Sequence, residues 1–391
     1  MITPNQQANK ALEAMVELLD IPISYYEKSV ARYESIAKHL ERKESTIAHL
    51  SPAIYPQGSF RLGTVIRPLN ESEGYDLDLV CRINGSVESE TQKSVKEKVG
   101  VEVKSYSKAQ GFKAAPSEGK RCWTQQYQDE VDFHMDVLPS IPNTENQFLL
   151  LERSGVASDR AKEALAITDN TSPNYRLISS EWPISNPKGY ALWFEEKMDI
   201  GGFATSTRNT LFEQRGFTKY ASVDEVPSYE LKTPLQRCVQ ILKRHRDQMF
   251  KDDPDDKPIS ILISTLAGRA YEGENNLADA LQGILNRMEH HVKQTKPRVA
   301  NPVNPKEDFT DRWTELKEAN FWRWLRQAKT DFDVLTSSNQ NKSQLQSHIR
   351  SSFGLAVATT SLSTVLSAAA PLIITTPSKV SQSAAAPWSD K

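Results

Sequence analysis

The spacing of apolar residues predicts a long helix near the start of the chain. Apolar residues between positions 22 and 42 recur every three or four residues, at Ile23, Tyr26, Val30, Tyr33, Ile36 and Leu40. This period is typical of an amphipathic helix that buries one face.

The second half of the chain, from about residue 186, is predicted to be mainly helical. Its best-marked helix begins at Thr233-Pro-Leu-Gln236, where Thr at the N-cap, Pro at the first position and Gln three residues after Thr form a capping box. A buried stripe follows, made of Leu235, Val239, Leu242 and Met249. Two further helices are predicted at 259–271 and 277–293, before a proline-containing loop at 296–306.

Short segments between these helices have the alternating pattern of strands. They are predicted at residues 75–83, 99–105, 122–126 and 131–138. Strands mixed with flanking helices favour an α/β or α+β first domain. A chain of 391 residues is long enough for two domains. We expect the first over 1–185, a helical one over 186–336, and a mobile tail over 337–391, which is rich in Ser, Ala, Thr and Gln.

The charge and cysteine content narrow the class of protein. The chain has 48 Lys and Arg against 50 Asp and Glu, a formal net charge of -2. It therefore lacks the excess of positive charge that tight binding of a nucleic-acid duplex requires, and a stable nucleic-acid partner is not expected. Its 3 cysteines are far apart, which fits a reducing cytoplasm. The N-terminus lacks a secretory pattern, and the apolar stretch 353–374 is broken by Ser, Thr and Pro371, so no membrane association is predicted.

Paired carboxylates provide the first candidate for chemistry. In Tyr75-Asp76-Leu77-Asp78-Leu79, alternation along a strand places Asp76 and Asp78 on one face, about 6 to 7 Å apart. Two divalent cations about 3.5 to 4 Å apart can be bridged by such carboxylates. An Asp-X-Asp pair alone is weak evidence, because it also fits a solvated strand face.

Two neighbouring features make the pair more specific. Gly58 and Ser59 lie upstream, where a glycine lets the backbone approach a phosphate closely and a serine adds a hydroxyl and an amide. A third acidic strand follows at 131–138. Its Asp132 and Asp136 have the same parity, so alternation does not choose between them, and about 13 Å of strand separates them.

Taken together, Gly58-Ser59, Asp76-Leu-Asp78 and Asp136-Val-Leu-Pro resemble the cGAS/DncV-like nucleotidyltransferases and the related oligoadenylate synthases, within the DNA-polymerase-β superfamily. Segments 185–194, 241–247 and 301–313 are similar to the bacterial branch of that family, the CD-NTases. The resemblance extends over about residues 20 to 330. It implies an α+β, bilobal polymerase-β-like fold, with a mixed-sheet lobe, a helical lobe that closes over the nucleotide, and a long N-terminal helix that braces both.

The resemblance also implies roles for individual residues. An acid directly before Val-Leu-Pro selects Asp136, so the catalytic and metal-binding triad is Asp76, Asp78 and Asp136, holding two Mg²⁺ ions with Mn²⁺ as an alternative. Gly58 and Ser59 contact phosphate, and Lys243 lies against the triphosphate of the donor nucleotide. Ser260 is expected to turn its hydroxyl to the γ-phosphate; its alternative role is to cap the helix that it begins.

The expected activity is that of a cyclic oligonucleotide synthase. ATP and a second nucleoside triphosphate would be joined into a cyclic di- or trinucleotide that acts on a downstream effector in CBASS anti-phage defence. One alternative is a template-independent RNA-tailing nucleotidyltransferase with the same triad, which the net charge of -2 disfavours. Another is a non-catalytic nucleotide-binding protein, which an intact triad disfavours.

Overall fold

The computed structural model of the chain describes residues 4–70, 74–128, 132–200, 232–336 and 341–358. Its α-helices are α1 (Pro4–Leu19), α2 (Ile23–Glu41), α3 (Gly58–Arg61), α4 (Gln92–Ala109), α5 (Glu145–Arg153), α6 (Ser158–Ala161), α7 (Pro187–Met198), α8 (Pro234–Met249), α9 (Ser260–Ala270), α10 (Leu277–Arg287), α11 (Glu315–Thr336) and α12 (Lys342–Phe353). Its strands are β1 (Ala53–Pro56), β2 (Tyr75–Arg82), β3 (Ser117–Glu118), β4 (Trp123–Gln128), β5 (Asp132–Pro142), β6 (Leu165–Ile167), β7 (Ile184–Ser185), β8 (Ala300–Asn301) and β9 (Asn304–Asp308).

A mixed sheet of 7 strands forms the first lobe, in the order β1-β2-β5-β4-β3, with β6 paired to β5 and β7 paired to β6. Strands β2 and β5 run parallel, and the other pairs are antiparallel. A parallel pair needs a long crossover connection, and α4 lies within the one that joins β2 to β5. The expected mixed sheet of an α+β fold is confirmed.

Two main hydrophobic cores correspond to the two expected lobes. Leu12 and Met15 of α1 pack into the core of the helical lobe, whereas Tyr33 and Ile36 of α2 pack beneath the sheet. Pro22, with an extended backbone, separates the two helices. The predicted helix at 22–42 is α2, and the brace between the lobes consists of two consecutive helices rather than one.

The helix signals of the second half are confirmed. The Thr233 hydroxyl accepts a hydrogen bond from the amide of Gln236 at 3.3 Å, and Gln236 Oε1 accepts one from the amide of Thr233 at 2.8 Å. Leu235, Val239 and Leu242 are buried, while Met249 is partly buried. The helices predicted at 259–271 and 277–293 are α9 and α10, although α10 ends at Arg287 and a 3-10 turn, Met288–His291, follows.

The strand predicted at 99–105 is wrong, because these residues lie inside α4. The side chains of Val95, Val99 and Val103 are fully buried, whereas Val101 is 52% exposed. Val99, Val101 and Val103 alternate as they would in a strand, yet the buried valines are spaced by four residues, which is the helical period. A capping box between Thr91 and Ser94 begins the helix and overrides the weak preference of valine for strands.

Two predictions of irregular structure are also wrong. The segment 296–306 contains β8 and most of β9, which form a two-stranded hairpin rather than a loop. In the predicted tail, α12 buries Leu345, Ile349 and Phe353 in the core of the helical lobe, so this part is a packed helix. Residues 359–391 of that tail lie outside the described residues. Within the described ranges, no helix combines the length and apolarity that a bilayer crossing requires.

Candidate active site

The pairing of β2 with β5 brings the three predicted acids together. In this parallel pair Asp78 lies opposite Asp136, and Asp76 lies opposite His134. Because paired residues point to the same side of a sheet and alternate residues share a face, the side chains of Asp76, Asp78 and Asp136 project from one face. On the other side of β5, Thr124 of β4 pairs with Asp136 and donates its hydroxyl hydrogen bond to Asp136 Oδ1.

The register of β5 also separates the two acids that parity left equivalent. Asp132 is the first residue of β5, and its partner is Gln128 of β4. The first residue of β2, Tyr75, pairs with Phe133, so β2 has no residue opposite Asp132. Only Asp136 therefore has an acidic partner across the parallel pair. The side chain of Asp132 lies outside the described set, so its predicted exposure to solvent stays a prediction.

The carboxylates repel one another. Burial and the charges of Asp76 and Asp136 together raise the pKa of Asp78 to about 7, against an opposing effect from Lys243. Asp76 faces solvent on one side, yet partial desolvation raises its pKa; Asp136 adds to this rise, while His134 and Lys243 oppose it. Lys243 offsets only part of this negative charge, so a bound divalent cation would relieve the rest.

The Gly58-Ser59 pair begins α3 and lies next to the side chain of Asp78. The amide of Gln57 donates a hydrogen bond to the carbonyl of Asp78 at 2.8 Å, which ties the turn to β2. Gly58 has φ +64°, and a Cβ atom at this position would lie 2.4 Å from Asp78 Oδ2. Both the positive φ and the close approach require glycine. Ser59 is half-buried, and its carbonyl accepts a hydrogen bond from the amide of Thr64 at 2.9 Å.

Lys243 lies on the face of α8 that is turned toward this site. Its ammonium is buried and donates a hydrogen bond to the carbonyl of Thr64 at 2.8 Å. Burial and the charge of Arg246 together lower the pKa of Lys243 to about 7, against the opposing effects of Asp247, Asp78 and Asp76. The lysine is thus electrostatically linked to two acids of the triad and bonded to the turn that follows α3.

Ser260 is the first residue of α9 but does not cap it. The N-cap position belongs to Ile259, and no side chain caps this helix end. The capping role considered for Ser260 is wrong, because Ser260 already has a helical position. Its hydroxyl instead accepts a hydrogen bond from Arg246 Nη1 at 3.0 Å, and Arg246 Nη1 also donates to the carbonyl of Pro258 at 2.9 Å. Ser260 is therefore joined to α8, the helix that carries Lys243.

A cleft of about 340 Å³ borders Asp136. Its lining includes the basic residues Lys120, Arg121 and Arg312, together with Thr124 and Asp136. Sequence reasoning missed this cleft, because its walls come from the β3–β4 turn, the loop after β6 and the loop before α11, which are distant in the chain.

Two buried polar residues of α4 hold two walls of this cleft. Lys96 is fully buried, and its ammonium donates to the carbonyls of Gly119 at 2.6 Å and Lys120 at 2.7 Å. One turn earlier, the Gln92 side-chain carbonyl accepts from the amide of Asp169 at 2.9 Å. The four-residue spacing of Gln92 and Lys96 was the available signal.

Among the described residues, no three His, Cys, Asp or Glu side chains are already gathered as a metal cage. Mg²⁺ sites in proteins often use only one or two carboxylates and complete their coordination with water and substrate phosphates. The facing Asp78 and Asp136, with Asp76 on the same strand face, fit this type of open site. The donor set is made of oxygen atoms alone, which matches the preference of Mg²⁺ and Mn²⁺.

Comparison with known proteins shows which proteins share this arrangement of residues. Residues 52–139 match the family described as cyclic GMP-AMP synthase DncV-like, nucleotidyltransferase domain. The chain is similar to a protein of Roseivirga ehrenbergii named c-di-GMP synthase, with 29% identity over 324 residues that cover 81% of this chain and 77% of the relative. It is also similar to the cyclic dinucleotide synthase CdnG of Bradyrhizobium diazoefficiens, with 25% identity over 358 residues that cover 88% of this chain and 80% of the relative.

Solved structures show the same fold. The structure of CdnG from Bradyrhizobium diazoefficiens in complex with GTP superposes with a TM-score of 0.62 at 23% identity, covering 92% of this chain and 98% of that one. The cyclic AMP-GMP synthase DncV of Vibrio cholerae superposes with a TM-score of 0.59 at 14% identity, covering 93% of this chain and 98% of that one. The family resemblance and the bilobal polymerase-β-like fold expected from the sequence are confirmed. The chain is therefore similar to DncV-like nucleotidyltransferases, with a matching nucleotidyltransferase domain at residues 52–139, and it has the CD-NTase fold.

Proposed function

We propose that this protein is a cyclic dinucleotide synthase that joins two nucleoside triphosphates and releases pyrophosphate. The observation that carries the proposal is the position of Asp78, which faces Asp136 across the parallel strands and touches the Gly58 turn. Carboxylates for metal ions and a glycine turn for phosphate thus lie at one point. Two relatives named as cyclic dinucleotide synthases favour a product with two nucleotides over one with three.

Asp76, Asp78 and Asp136 are the residues that would hold two Mg²⁺ ions, with Mn²⁺ as an alternative. The fit rests on three carboxylates on one face; burial, together with the charges of Asp76 and Asp136, raises the pKa of Asp78 to about 7. When bound, such ions lower the pKa of an attacking hydroxyl and stabilise the charge of the leaving pyrophosphate. Thr124, which donates to Asp136 Oδ1, orients the third carboxylate.

The remaining site residues act on the triphosphate. The backbone at Gly58 approaches phosphate closely because it has no side chain, and Ser59 adds an amide and a hydroxyl. Lys243 uses one N–H on the Thr64 carbonyl, which leaves two donors for phosphate oxygens. Ser260, whose hydroxyl accepts from Arg246, keeps its own O–H to donate toward the γ-phosphate. These residues therefore bind and orient the donor nucleotide in line for attack.

We propose GTP as the first substrate and ATP as the second candidate. The Roseivirga relative is named a c-di-GMP synthase, and the Bradyrhizobium CdnG was solved with GTP. Residues 1–185 would be the catalytic domain with its N-terminal helices, and 186–336 the helical domain that closes over the nucleotide. The product would serve as a second messenger in anti-phage signalling and act on a downstream effector protein.

The test is incubation of the purified chain with each labelled nucleoside triphosphate, alone and in pairs, with Mg²⁺ or Mn²⁺. Phosphatase treatment and mass spectrometry then identify the products. We expect a phosphatase-resistant cyclic dinucleotide that contains guanosine and requires the metal. Extension of added RNA without any cyclic product would instead indicate a tailing enzyme and overturn the proposal.

Variants link that activity to the carboxylates. Asp76→Asn and Asp78→Asn each remove one negative charge without creating a cavity, so the fold should persist while metal binding weakens. We expect both variants to lose product formation while their thermal melting stays close to that of the wild type. Near-wild-type turnover in either variant would contradict the assignment of that residue to the metal site.

A further inference from the structure

A row of side chains on α8 holds the main chain that follows the Gly58-Ser59 turn. The bonds run from Gln236 Nε2 to the Leu62 carbonyl at 2.9 Å, from Lys243 Nζ to the Thr64 carbonyl at 2.8 Å, and from Gln240 Nε2 to the Val65 carbonyl at 2.7 Å. The spacing of three and four residues places the donors on one side of the helix. Three carbonyls of the segment 62–65 are thus bound by one helix.

The same turn is tied to the metal-binding strand at its other end. The amide of Gln57 donates to the carbonyl of Asp78 at 2.8 Å. Between the two attachments the turn is closed internally, since the amide of Leu62 donates to the carbonyl of Gly58 at 3.2 Å and that of Thr64 to Ser59 at 2.9 Å. A shift of α8 relative to this segment would therefore move Gly58 and Ser59.

Gln240 makes hydrogen bonds through both its side-chain nitrogen and its side-chain oxygen. Besides Val65, its amide nitrogen donates to Asp20 Oδ1 at 3.1 Å, and its carbonyl oxygen accepts from Arg237 Nη1 at 3.2 Å. The side chain is fully buried. A buried amide is costly unless its groups are paired, and a leucine would bury more apolar surface at this position of the helix. The role of the Gln240 side chain is therefore to make these hydrogen bonds, and not to add apolar contacts to the core.

We infer that Gln240 and Gln236 are positioning residues for the triphosphate. They fix the Gly58-Ser59 turn relative to Lys243, so that the turn and the lysine can bind one triphosphate from two sides. This inference rests on the proposed function, in which both elements bind the donor nucleotide. Neither glutamine needs to touch the nucleotide, because each acts through the backbone of the segment 62–65.

Gln240→Leu tests the inference, because leucine has a similar volume but lacks both donors. Gln125→Leu is the matched control. Gln125 is also fully buried and donates to the carbonyls of Ala114 and Gln126, far from α8 in the sheet lobe. Initial rates are measured over a range of triphosphate concentrations at saturating Mg²⁺. Hydrogen exchange of peptides covering 57–68 is followed in parallel.

We expect Gln240→Leu to raise the triphosphate concentration for half-maximal rate roughly five- to tenfold, in line with a lost hydrogen bond and a shifted phosphate contact. Exchange should accelerate in 57–68. Gln125→Leu should lower the melting temperature without either effect. If the two variants lose similar stability and Gln240→Leu keeps the wild-type concentration dependence, Gln240 is only a structural residue.

A second variant and a binding assay keep the outcome decisive. Gln240→Met, which is more flexible than leucine, replaces Gln240→Leu if that protein does not fold. Binding of a non-hydrolysable GTP analogue by calorimetry reports on the site without turnover. If the wild-type protein forms no cyclic product but the Gln240 variant binds the analogue more weakly than the wild type, the positioning role is supported and the proposed function is rejected. If the wild-type protein forms the product and the variant binds the analogue as tightly as the wild type, only the positioning role is rejected.

Discussion

Gly58 and Asp78 are in contact: a Cβ atom on Gly58 would lie 2.4 Å from Asp78 Oδ2 and 3.2 Å from its Cγ. The proposed phosphate turn and the proposed metal carboxylate therefore occupy adjoining space, and no side chain fits between them. The positive φ of Gly58, +64°, adds a second requirement for glycine. This contact makes the glycine a test of the site that differs from removal of a charge.

We predict that Gly58→Ala lowers the rate of product formation at least roughly a hundredfold, because the methyl group displaces the Asp78 carboxylate. A misplacement of about 1 Å in an active site can reduce the rate about a hundredfold. Gly111→Ala is the matched control, since Gly111 has φ +70° but nothing within 4 Å of its Cβ position. Both substitutions carry a similar backbone penalty, about 1 to 2 kcal/mol. Product assays and thermal melts on the two variants separate displacement from strain; equal activity in both would contradict the contact's importance.

The second prediction concerns the choice between two acids on β5. We expect Asp136→Asn to abolish synthesis and Asp132→Asn to leave most of it, because only Asp136 lies opposite Asp78 in the parallel pair. Product formation at saturating Mg²⁺ is the measurement, with circular dichroism to verify folding. Loss of activity in Asp132→Asn with an active Asp136→Asn would move the proposed metal site toward the start of the strand.

The third prediction concerns Lys243, whose ammonium is buried against the Thr64 carbonyl. Lys243→Met keeps the aliphatic stem but removes the charge, so we expect a higher triphosphate concentration at half-maximal rate and a smaller loss than with an aspartate variant. The measurement is the initial rate as a function of triphosphate concentration. Lys251→Met, at an exposed position just after α8, is the control. An unchanged concentration dependence in Lys243→Met would leave the lysine with a structural role only.

Local patterns predicted the parts of this site that are encoded within a few residues. Alternation placed Asp76 and Asp78 on one strand face, and the Thr233 capping box located the start of α8. The valines of α4 gave the wrong result, because the spacing of Val99, Val101 and Val103 fits a strand and that of Val95, Val99 and Val103 fits a helix. The burial of Val95, Val99 and Val103 and the exposure of Val101 show that the segment is a helix. Neither property can be inferred from a few neighbouring residues of the sequence.

Contacts between distant segments were not predictable in the same way. The Lys243 ammonium reaches a carbonyl 179 positions away, and the choice of Asp136 over Asp132 depends on the register of β2 against β5. Main-chain carbonyls carry no sequence signature, so the row of donors on α8 reads as ordinary polar residues in a helix. The family resemblance selected Asp136 and Lys243 where periodicity left alternatives open.

The last prediction concerns the ion pair between Arg42 and Glu102, which joins the end of α2 to α4 within the sheet lobe. Arg42 Nη1 lies 2.7 Å from Glu102 Oε2, and Glu102 Oε1 accepts from the amide of Thr46 at 2.7 Å and its hydroxyl at 2.8 Å. Burial alone would raise the pKa of Glu102, but the hydrogen bonds from Thr46 and the charge of Arg42 outweigh it and lower the pKa below 4.5.

A lowered pKa in the folded state means that the ionised Glu102 stabilises the fold at pH values above about 4.5, and that this contribution is lost as the pH falls through the folded pKa. We predict that Glu102→Gln lowers the free energy of unfolding by about 1 to 3 kcal/mol at pH 7, because it weakens charge-assisted hydrogen bonds and removes the ion-pair partner of Arg42. The difference from the wild type should shrink between pH 5 and pH 3.

Urea denaturation at several pH values measures this difference in the free energy of unfolding. Glu34→Gln is the control, since Glu34 forms an exposed pair with Lys38 at 3.6 Å that should contribute little. A difference of constant size at every pH would show that Glu102→Gln acts through packing, because all other acids of the chain are common to both proteins and cancel in the comparison.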